Sequence, residues 1–390
     1  MNPSFTYGTL DSSHEEENLS RLLSQCFNSP GESVYMKRVG SQNFRVLRQG
    51  DQLVGGLAVL QMGQWYGGQC VPMAGIAAVG VAPEFRGSGA AITLMQKTLG
   101  ELREQGIPLS VLYPATQRLY RKAGYEQGGL LCVWEIEPQT IQASDRSLPI
   151  HPITPTVDLL APLYRQKAQI YSGHVERHSF LWQELTDMQP KEAIACAYGF
   201  GDLNHLEGYI IFHQVRVNND NRLVIKDWVL LTSAAIQRFW SFLADHRSQI
   251  DNIRWRSSLT DPLSLLLPEQ SARLVNAERW MLRIIDVSKA LEKRGYSANV
   301  QAELHLDIQD DLFAENTGRF VLTVANGKSE VVQGGNGDLK LHIRSLSSLY
   351  SGLFTARELK LMGQIEGTEI ALSTADHVFQ SHSPWLSDFF

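Results

Sequence analysis

Cysteine is scarce: four in 390 residues, at positions 26, 70, 132 and 196. None forms a C-x-x-C pair and none sits beside histidines at metal-ligand spacing, which argues against a thiolate metal site and a disulfide scaffold. Buried free thiols in a reducing compartment are expected, and no metal. Excess positive charge is also missing. The 35 Lys and Arg are outnumbered by 41 Asp and Glu, a formal net charge of −6, so a basic nucleic-acid surface is not indicated. That mild acidic excess suits cationic substrates and equally serves simple solubility. No apolar run approaches the roughly 18 residues of a membrane span, and no basic-then-apolar leader opens the sequence. The expectation is a soluble cytoplasmic protein with no membrane or nucleic-acid partner.

What is present is an ordinary folding composition, 43% hydrophobic and 19% charged, over a length that suggests two or three domains. The most informative stretch is Val79-Gly80-Val81-Ala82-Pro83-Glu84-Phe85-Arg86-Gly87-Ser88-Gly89-Ala90-Ala91. It reads as a strand, a glycine-rich loop, and a helix whose face is Ala91, Leu94, Met95, Thr98 and Leu102. Gly87 and Gly89 let the loop bend so that backbone N–H groups converge at the positive end of that helix, and Arg86 adds a cation. Such a place suits a pyrophosphate. A P-loop would need Gly-Lys-Ser/Thr, and a dinucleotide fingerprint its third glycine and a later acidic residue; neither fits. Acyl-CoA binding and a plain strand–loop–helix connection are the readings left.

Along the chain, Ser13-x-x-Glu16 resembles a capping box opening a helix with Leu19, Leu22, Leu23, Cys26 and Phe27 on its apolar face, ended by Pro30-Gly31. Strands are expected at Phe44–Leu47, Leu53–Met62 and Gln69–Val81, with turns at Gln49-Gly50-Asp51 and Trp65-Tyr66-Gly67-Gly68. Leu109–Tyr113 is a short strand, Arg118–Ala123 a short helix and Leu130–Glu135 another strand. The polar, proline-containing stretch from 137 to 155 suggests a boundary. Beyond it the order of strands, helix and strand loosely repeats the first domain, with Leu230-Leu231-Thr232-Ser233 where the glycine loop would stand. From about Arg283 come a helix at Val287–Lys293, strands at Ala302–Ile308, Arg319–Ala325, Ser329–Gln333 and Lys340–Ile343, and further helices. Ala325-Asn326-Gly327-Lys328 and Gly334-Gly335-Asn336-Gly337-Asp338 are hairpin signals. The last six residues hold three aromatics and a leucine, so this end is expected to be docked.

The pattern Arg-x-x-Gly-x-Ala after Val-x-Val-x-Pro resembles the acetyl-CoA motif of the GNAT superfamily of N-acetyltransferases. Leu119-Tyr120-Arg121-Lys122-Ala123-Gly124-Tyr125 resembles that superfamily's sequence around a tyrosine aimed at the thioester sulfur. The whole chain resembles the Eis-like (enhanced intracellular survival) acetyltransferases. The fold class this implies is α/β (α+β): a GNAT domain over 1–150, a degenerate GNAT-like domain without cofactor over 151–282, and a sterol-carrier-protein-like α+β domain over 283–390. It also implies acetyl-CoA as co-substrate, a primary amine acceptor of aminoglycoside-like or lysine type, and a homo-oligomer, commonly a hexamer.

On that resemblance Arg86, Gly87, Ser88, Gly89 and Ala90 bind the pyrophosphate, and Val79 and Val81 pair with the pantetheine arm through their amides. Pro114 and Ala115, with Tyr113, border the pantetheine; some relatives carry a polar residue at the position of Ala115. Tyr120 is the general acid. A phenol of pKa about 10 stays protonated at neutral pH and suits a departing thiolate; taken alone, Tyr120 reads as core packing. The Phe390 α-carboxylate is the general base, its pKa raised by burial among Phe389 and Trp385. Asp388 helps hold a cationic substrate. Phe27 and Trp65 read either as walls of the acceptor pocket or as core aromatics. The rival from another class is a lipid-carrying or interaction protein acting through the C-terminal domain.

Overall fold

The structure, a computed structural model, describes residues 5–29, 32–190 and 193–390. The expected helix stop at Pro30-Gly31 lies outside them. The chain forms two compact units. The first comprises the residues up to 129, 279–382 and Phe390; the second comprises 130–278 and 383–389.

The first unit opens with β1 (Thr6–Thr9), α1 (Ser13–Phe27), α2 (Glu32–Val39), β2 (Phe44–Gln49), β3 (Gln52–Tyr66) and β4 (Gln69–Val81). Then come α3 (Ala90–Glu104), β5 (Leu109–Leu112), α4 (Gln117–Lys122) and β6 (Glu126–Ile136), the last running into the second unit. The cap of α1 is Ser12, one residue before the expected box. Its extended backbone lets the side chain accept from the Glu15 N–H, while Glu15 accepts from the Asp11 N–H. Strands β1 to β4 pair antiparallel in order, and β4 pairs parallel with β5. The crossover between them is α3, which buries Ala90, Leu94, Met95, Thr98, Leu99 and Leu102; Ala90, not Ala91, leads that stripe. With Leu57, Ile76 and Tyr125 the apolar ones among these make one core.

The second unit holds β7 (Ile150–Pro152), α5 (Val157–Ile170), β8 (Val175–Glu176), α6 (Ser179–Thr186), β9 (Ile194–Asp202), β10 (His205–Val217) and β11 (Asp220–Leu230). After them come α7 (Ser233–Ala244), β12 (Asn252–Ser257) and the start of β13 (Arg273–Ile284). Here β9, β10 and β11 are antiparallel, and β11 is parallel to β12 through α7. The expected loose repeat of the first module is thus present as topology. Its core is aromatic, with Phe200, Phe239, Trp240 and Trp255 all buried.

Strand β13 was not expected, since most of its first residues are exposed. Its last four, Met281–Ile284, pair antiparallel with β5 in the first unit, which returns the chain there. The rest of that unit is α8 (Val287–Lys293), β14 (Ala302–Gln309), β15 (Gly318–Ala325), β16 (Lys328–Gln333), β17 (Leu339–His342), α9 (Ile343–Ser351), α10 (Ala356–Leu361), β18 (Ile365–Gly367) and α11 (Glu369–Phe379). Its sheet runs β16-β15-β14-β17-β18. Asn326 and Gly327, both at positive φ, close the β15–β16 hairpin as a two-residue turn. The Gly334–Gly337 stretch is not a hairpin: β17 pairs parallel with β14, so the chain crosses over instead of folding back. Gly295 donates its N–H to the Tyr66 carbonyl at the tip of the β3–β4 hairpin, 3.1 Å, and Asn316 donates to the Ile285 carbonyl, 3.0 Å.

Of the four free thiols only Cys132 is fully buried; Cys70 is exposed, and Cys26 and Cys196 lie between. The expectation of uniformly buried thiols is corrected. Among the described residues no helix is long and apolar enough to cross a membrane.

Candidate active site

Strands β4 and β5 run side by side only from Met73↔Leu109 to Ile76↔Leu112. There β5 stops and β4 continues five residues to Val81. Over that extension its register with β3 shifts, leaving Ala78 (φ +50°) and Val79 outside the ladder, a bulge of the kind that re-aims a strand beside a site. The Ala82 N–H donates to the Val54 carbonyl, 2.9 Å. Successive amides of a strand alternate in direction, so the Val81 N–H points away from β3, toward the side that β5 has vacated. The Val81 carbonyl accepts from the Cys26 thiol, 3.5 Å.

The glycine loop then delivers its donors. Gly87 and Gly89 adopt φ of +81° and +89°, a left-handed backbone that L side chains resist. Gly89 is the cap of α3 and supplies no side-chain hydrogen bond. The N–H groups of Ala90, Ala91 and Ile92, in the first turn of the helix, therefore have no acceptor among the described residues. Around them lies a cavity of about 400 Å³, lined by Val81, Arg86, Gly87, Gly89 and Ala90 and, across it, by Thr116, Arg118, Leu119 and Lys122. Three cations and a helix N-terminus facing one space attract a multiply charged anion. Arg118 and Lys122 were not among the expected site residues. Their i, i+4 spacing on a short helix is the signal, since it puts both on one face.

Ser88 departs from expectation. Its hydroxyl and N–H both turn back to the Phe85 carbonyl, at 2.6 and 3.3 Å, so the tight turn occupies its donors and it does not line the cavity. Pro114 is half-buried and Ala115 exposed, and neither lines it; the wall there begins at Thr116.

Tyr120 is buried on α4, edge-on to Tyr125 at 6.1 Å. Burial pushes its hydroxyl up to about 12, and that hydroxyl hydrogen-bonds to no described residue. Behind it the turn closes by Tyr125 donating its N–H to the Tyr120 carbonyl, 3.1 Å, and the Tyr125 hydroxyl meets Ser110 at 2.7 Å. Tyr125 fills the core behind the turn.

Phe390 is buried in the first unit, its ring edge-on to Tyr113 at 5.8 Å. A Cβ on Gly75 of β4 would sit 2.7 Å from that ring and 2.6 Å from the Met62 methyl, so a glycine is what leaves room for the terminal residue. The aromatic partner of the Phe390 ring is therefore Tyr113. The expected Phe389 is 51% exposed, and Trp385 packs in the second unit, stacked 6.3 Å from Trp228.

Asp388 also lies in the second unit, where the Arg177 Nε donates to it at 2.8 Å. The same guanidinium holds both oxygens of Asp227, at 2.7 and 3.0 Å. With its side chain buried and held by Arg177, Asp388 anchors the tail in the second unit, and the Ser387 hydroxyl donates to its other oxygen at 2.9 Å. Burial works against the Arg177 charge, and the two carboxylates overcome it, holding the guanidinium well above its usual range. Phe27 ends α1 and is 45% exposed, which removes the core reading for it. Trp65 is buried in β3 with its indole N–H unpartnered among the described residues.

Two family models for an acetyltransferase (GNAT) domain match this chain, over residues 10–128 and 173–284, and one for a sterol carrier protein domain matches residues 287–387. A curated but uncharacterized N-acetyltransferase of Streptomyces griseus is 27% identical over 83% of each chain. The N-acetyltransferase Eis of Mycobacterium tuberculosis is 24% identical over 87% of this chain and 86% of its own. The crystal structure of a GCN5-related N-acetyltransferase from Anabaena variabilis is 52% identical with a TM-score of 0.97, covering 99% of this chain and 100% of that one. With a solved relative 52% identical over nearly the full length of both chains, this chain belongs to the GCN5-related N-acetyltransferases, as an enzyme of the Eis-like kind.

Proposed function

We propose that the chain transfers an acetyl group from acetyl-CoA to a primary amine by direct attack in a ternary complex. The observation that carries this reading is the cradle itself: amides at Gly87, Gly89 and the first turn of α3 without an acceptor among the described residues, with Arg86, Arg118 and Lys122 around them. Coenzyme A presents a diphosphate and a further phosphate, matching that array of donors and cations.

The chain's own residues then divide the work. The Val81 N–H, directed to the side that β5 vacates, receives the oxyanion as the thioester carbonyl is attacked. Val79, freed from the β3 ladder, offers its amide to the pantetheine arm in the manner of an added strand. Tyr120 gives its proton to the leaving thiolate; burial keeps the phenol protonated up to about pH 12, so it remains a proton donor throughout the neutral range. The Phe390 carboxylate takes the amine's proton, directly or through a water. The acceptor is of the aminoglycoside or lysine type, an assignment that rests on the Eis-like resemblance.

Four measurements test this. Calorimetry with acetyl-CoA is expected to give one site per chain, and absence of heat overturns the reading. Tyr120→Phe is expected to lower kcat by ~10²-fold with the acetyl-CoA dissociation constant unchanged, the size of a lost general acid; unchanged turnover removes Tyr120. Residues appended after Phe390 displace the carboxylate, and full activity in that form excludes it as the base. An amine panel read by thiol release and product mass identifies the acceptor.

A further inference from the structure

Helix α4 presents Arg118 and Lys122 to the cofactor cavity and Arg121 to another one. That second cavity, about 310 Å³, also lies within the first unit, where the start of β6 meets α9 and α10. Its lining shares no residue with the first. In its wall two guanidiniums converge on one carboxylate. Arg121 donates to Glu126 from Nε and Nη2, at 3.0 and 2.7 Å, and Arg344 from Nε and Nη2, at 3.2 and 2.9 Å. The Nη1 group of each arginine hydrogen-bonds to no described residue, and the three side chains sum to one positive charge. The serines of the wall are already committed: Ser348 donates to the Gln127 carbonyl and Ser345 to the Gln364 carbonyl, at 2.6 and 3.0 Å. Phe354, buried Leu359 and half-exposed Met362 add apolar wall, with Gln364 beside the last two.

We propose that this cavity binds a carboxylate carried on an apolar chain. The acid bridges the two free Nη1 groups, a geometry that planar guanidinium forks favour, and the chain lies against Phe354, Leu359 and Met362. The surplus charge selects an anion. The apolar wall selects against a free inorganic ion, which would leave that surface wet. The volume stands at the lower limit of small-molecule sites, roughly 300–1,000 Å³, which fits a medium-length acid. The site stands whether or not the cleft at the glycine loop performs the chemistry set out above.

Calorimetric titration of the full chain with octanoate tests it. Saturable binding is expected, weakened roughly tenfold or more by Arg344→Gln, as befits the loss of charged hydrogen bonds. The uncharged methyl octanoate is expected to bind at least tenfold more weakly than the acid. Met362→Asp, at a half-exposed position, places a repelling charge on the apolar wall and is expected to abolish binding while the melting temperature holds, so the test does not depend on the arginine variant folding. No heat with octanoate, equal affinity for the methyl ester, or undiminished binding in Met362→Asp each overturns the proposal. Acetyl-CoA titrations of the same samples are expected to be unchanged, which separates this site from the catalytic one.

Discussion

Strands β4 and β11 each pair antiparallel with the strand before them and parallel with a strand reached through a helix. In both the parallel pairing stops early, at Ile76↔Leu112 in one and Val224↔Arg254 in the other. The difference lies at the start of the connecting helix. After β4 the helix is capped by Gly89, which offers nothing, and its first amides stay free. After β11 the cap is Thr232, whose hydroxyl accepts from the Ala235 N–H at 3.1 Å and donates to Glu207. The ends of β11 and β12 are also furnished. Trp385 stacks on Trp228, Arg177 ties Asp227 to Asp388, and Arg256 donates to the Ser387 carbonyl at 2.7 Å. One crossing leaves its donors and its cleft open, and the other satisfies them from within the chain. An anion site therefore does not come with this topology; it requires that the chain leave the amides unmatched.

The largest break in that comparison is Arg177→Ala. It strands Asp227 and Asp388, both buried, without their cation, and losing one partner of such a network costs about 3–5 kcal/mol. The melting transition of the second unit is expected to fall by on the order of 10 °C. Lysine is expected to rescue it poorly, since the planar fork contacts two carboxylates at once. A change below about 2 °C would mean that the network contributes little. Next in size is Gly89→Val, which brings a β-branched side chain to φ +89° in the open crossing. The loop must rearrange, and acetyl-CoA affinity is expected to drop ~100-fold, the equivalent of one or two charge-assisted hydrogen bonds. Affinity within threefold of the parent would show that these amides do not hold the ligand.

Much of this was legible from sequence where the code is local. Gln69–Val81 is a strand over the expected residues, Val287–Lys293 a helix over the expected residues, and Asn326-Gly327 the expected hairpin turn. The glycine loop could be read because positive φ has few alternatives to glycine. What escaped was set by distant partners. The first half of β13, Arg-Leu-Val-Asn-Ala-Glu, is largely exposed and shows no alternation of polar and apolar residues, so nothing announced that its last residues would pair with β5. Gly334–Gly337 signals a change of direction, but the destination of β17 is decided by β14. A docked tail was foreseeable from its aromatics, whereas Arg177 as the partner of Asp388, 211 positions away, was not. Arg118 and Lys122 were visible in principle, but the motif that holds them points to the Tyr120 between them, and two cations on a short helix read equally as a solvated face.

The smallest effect is the most discriminating. Thr232→Ala removes the cap of α7 and with it the hydroxyl bond to the Ala235 N–H. Such caps contribute about 1 kcal/mol, so the second unit is expected to melt roughly 2–4 °C lower, on the order set by its size. Thr232→Gly restores a tolerated cap residue, recovers most of that loss, and copies the capping of the open crossing. If the free amides alone made the anion site, this variant would bind a second acetyl-CoA. The tail seated on Trp228 predicts otherwise: calorimetric stoichiometry stays at one per chain, because Trp385 and the Arg177 network still occupy the ends of β11 and β12. A stoichiometry of two would make the cap by itself the difference between the crossings, and the filled cleft incidental.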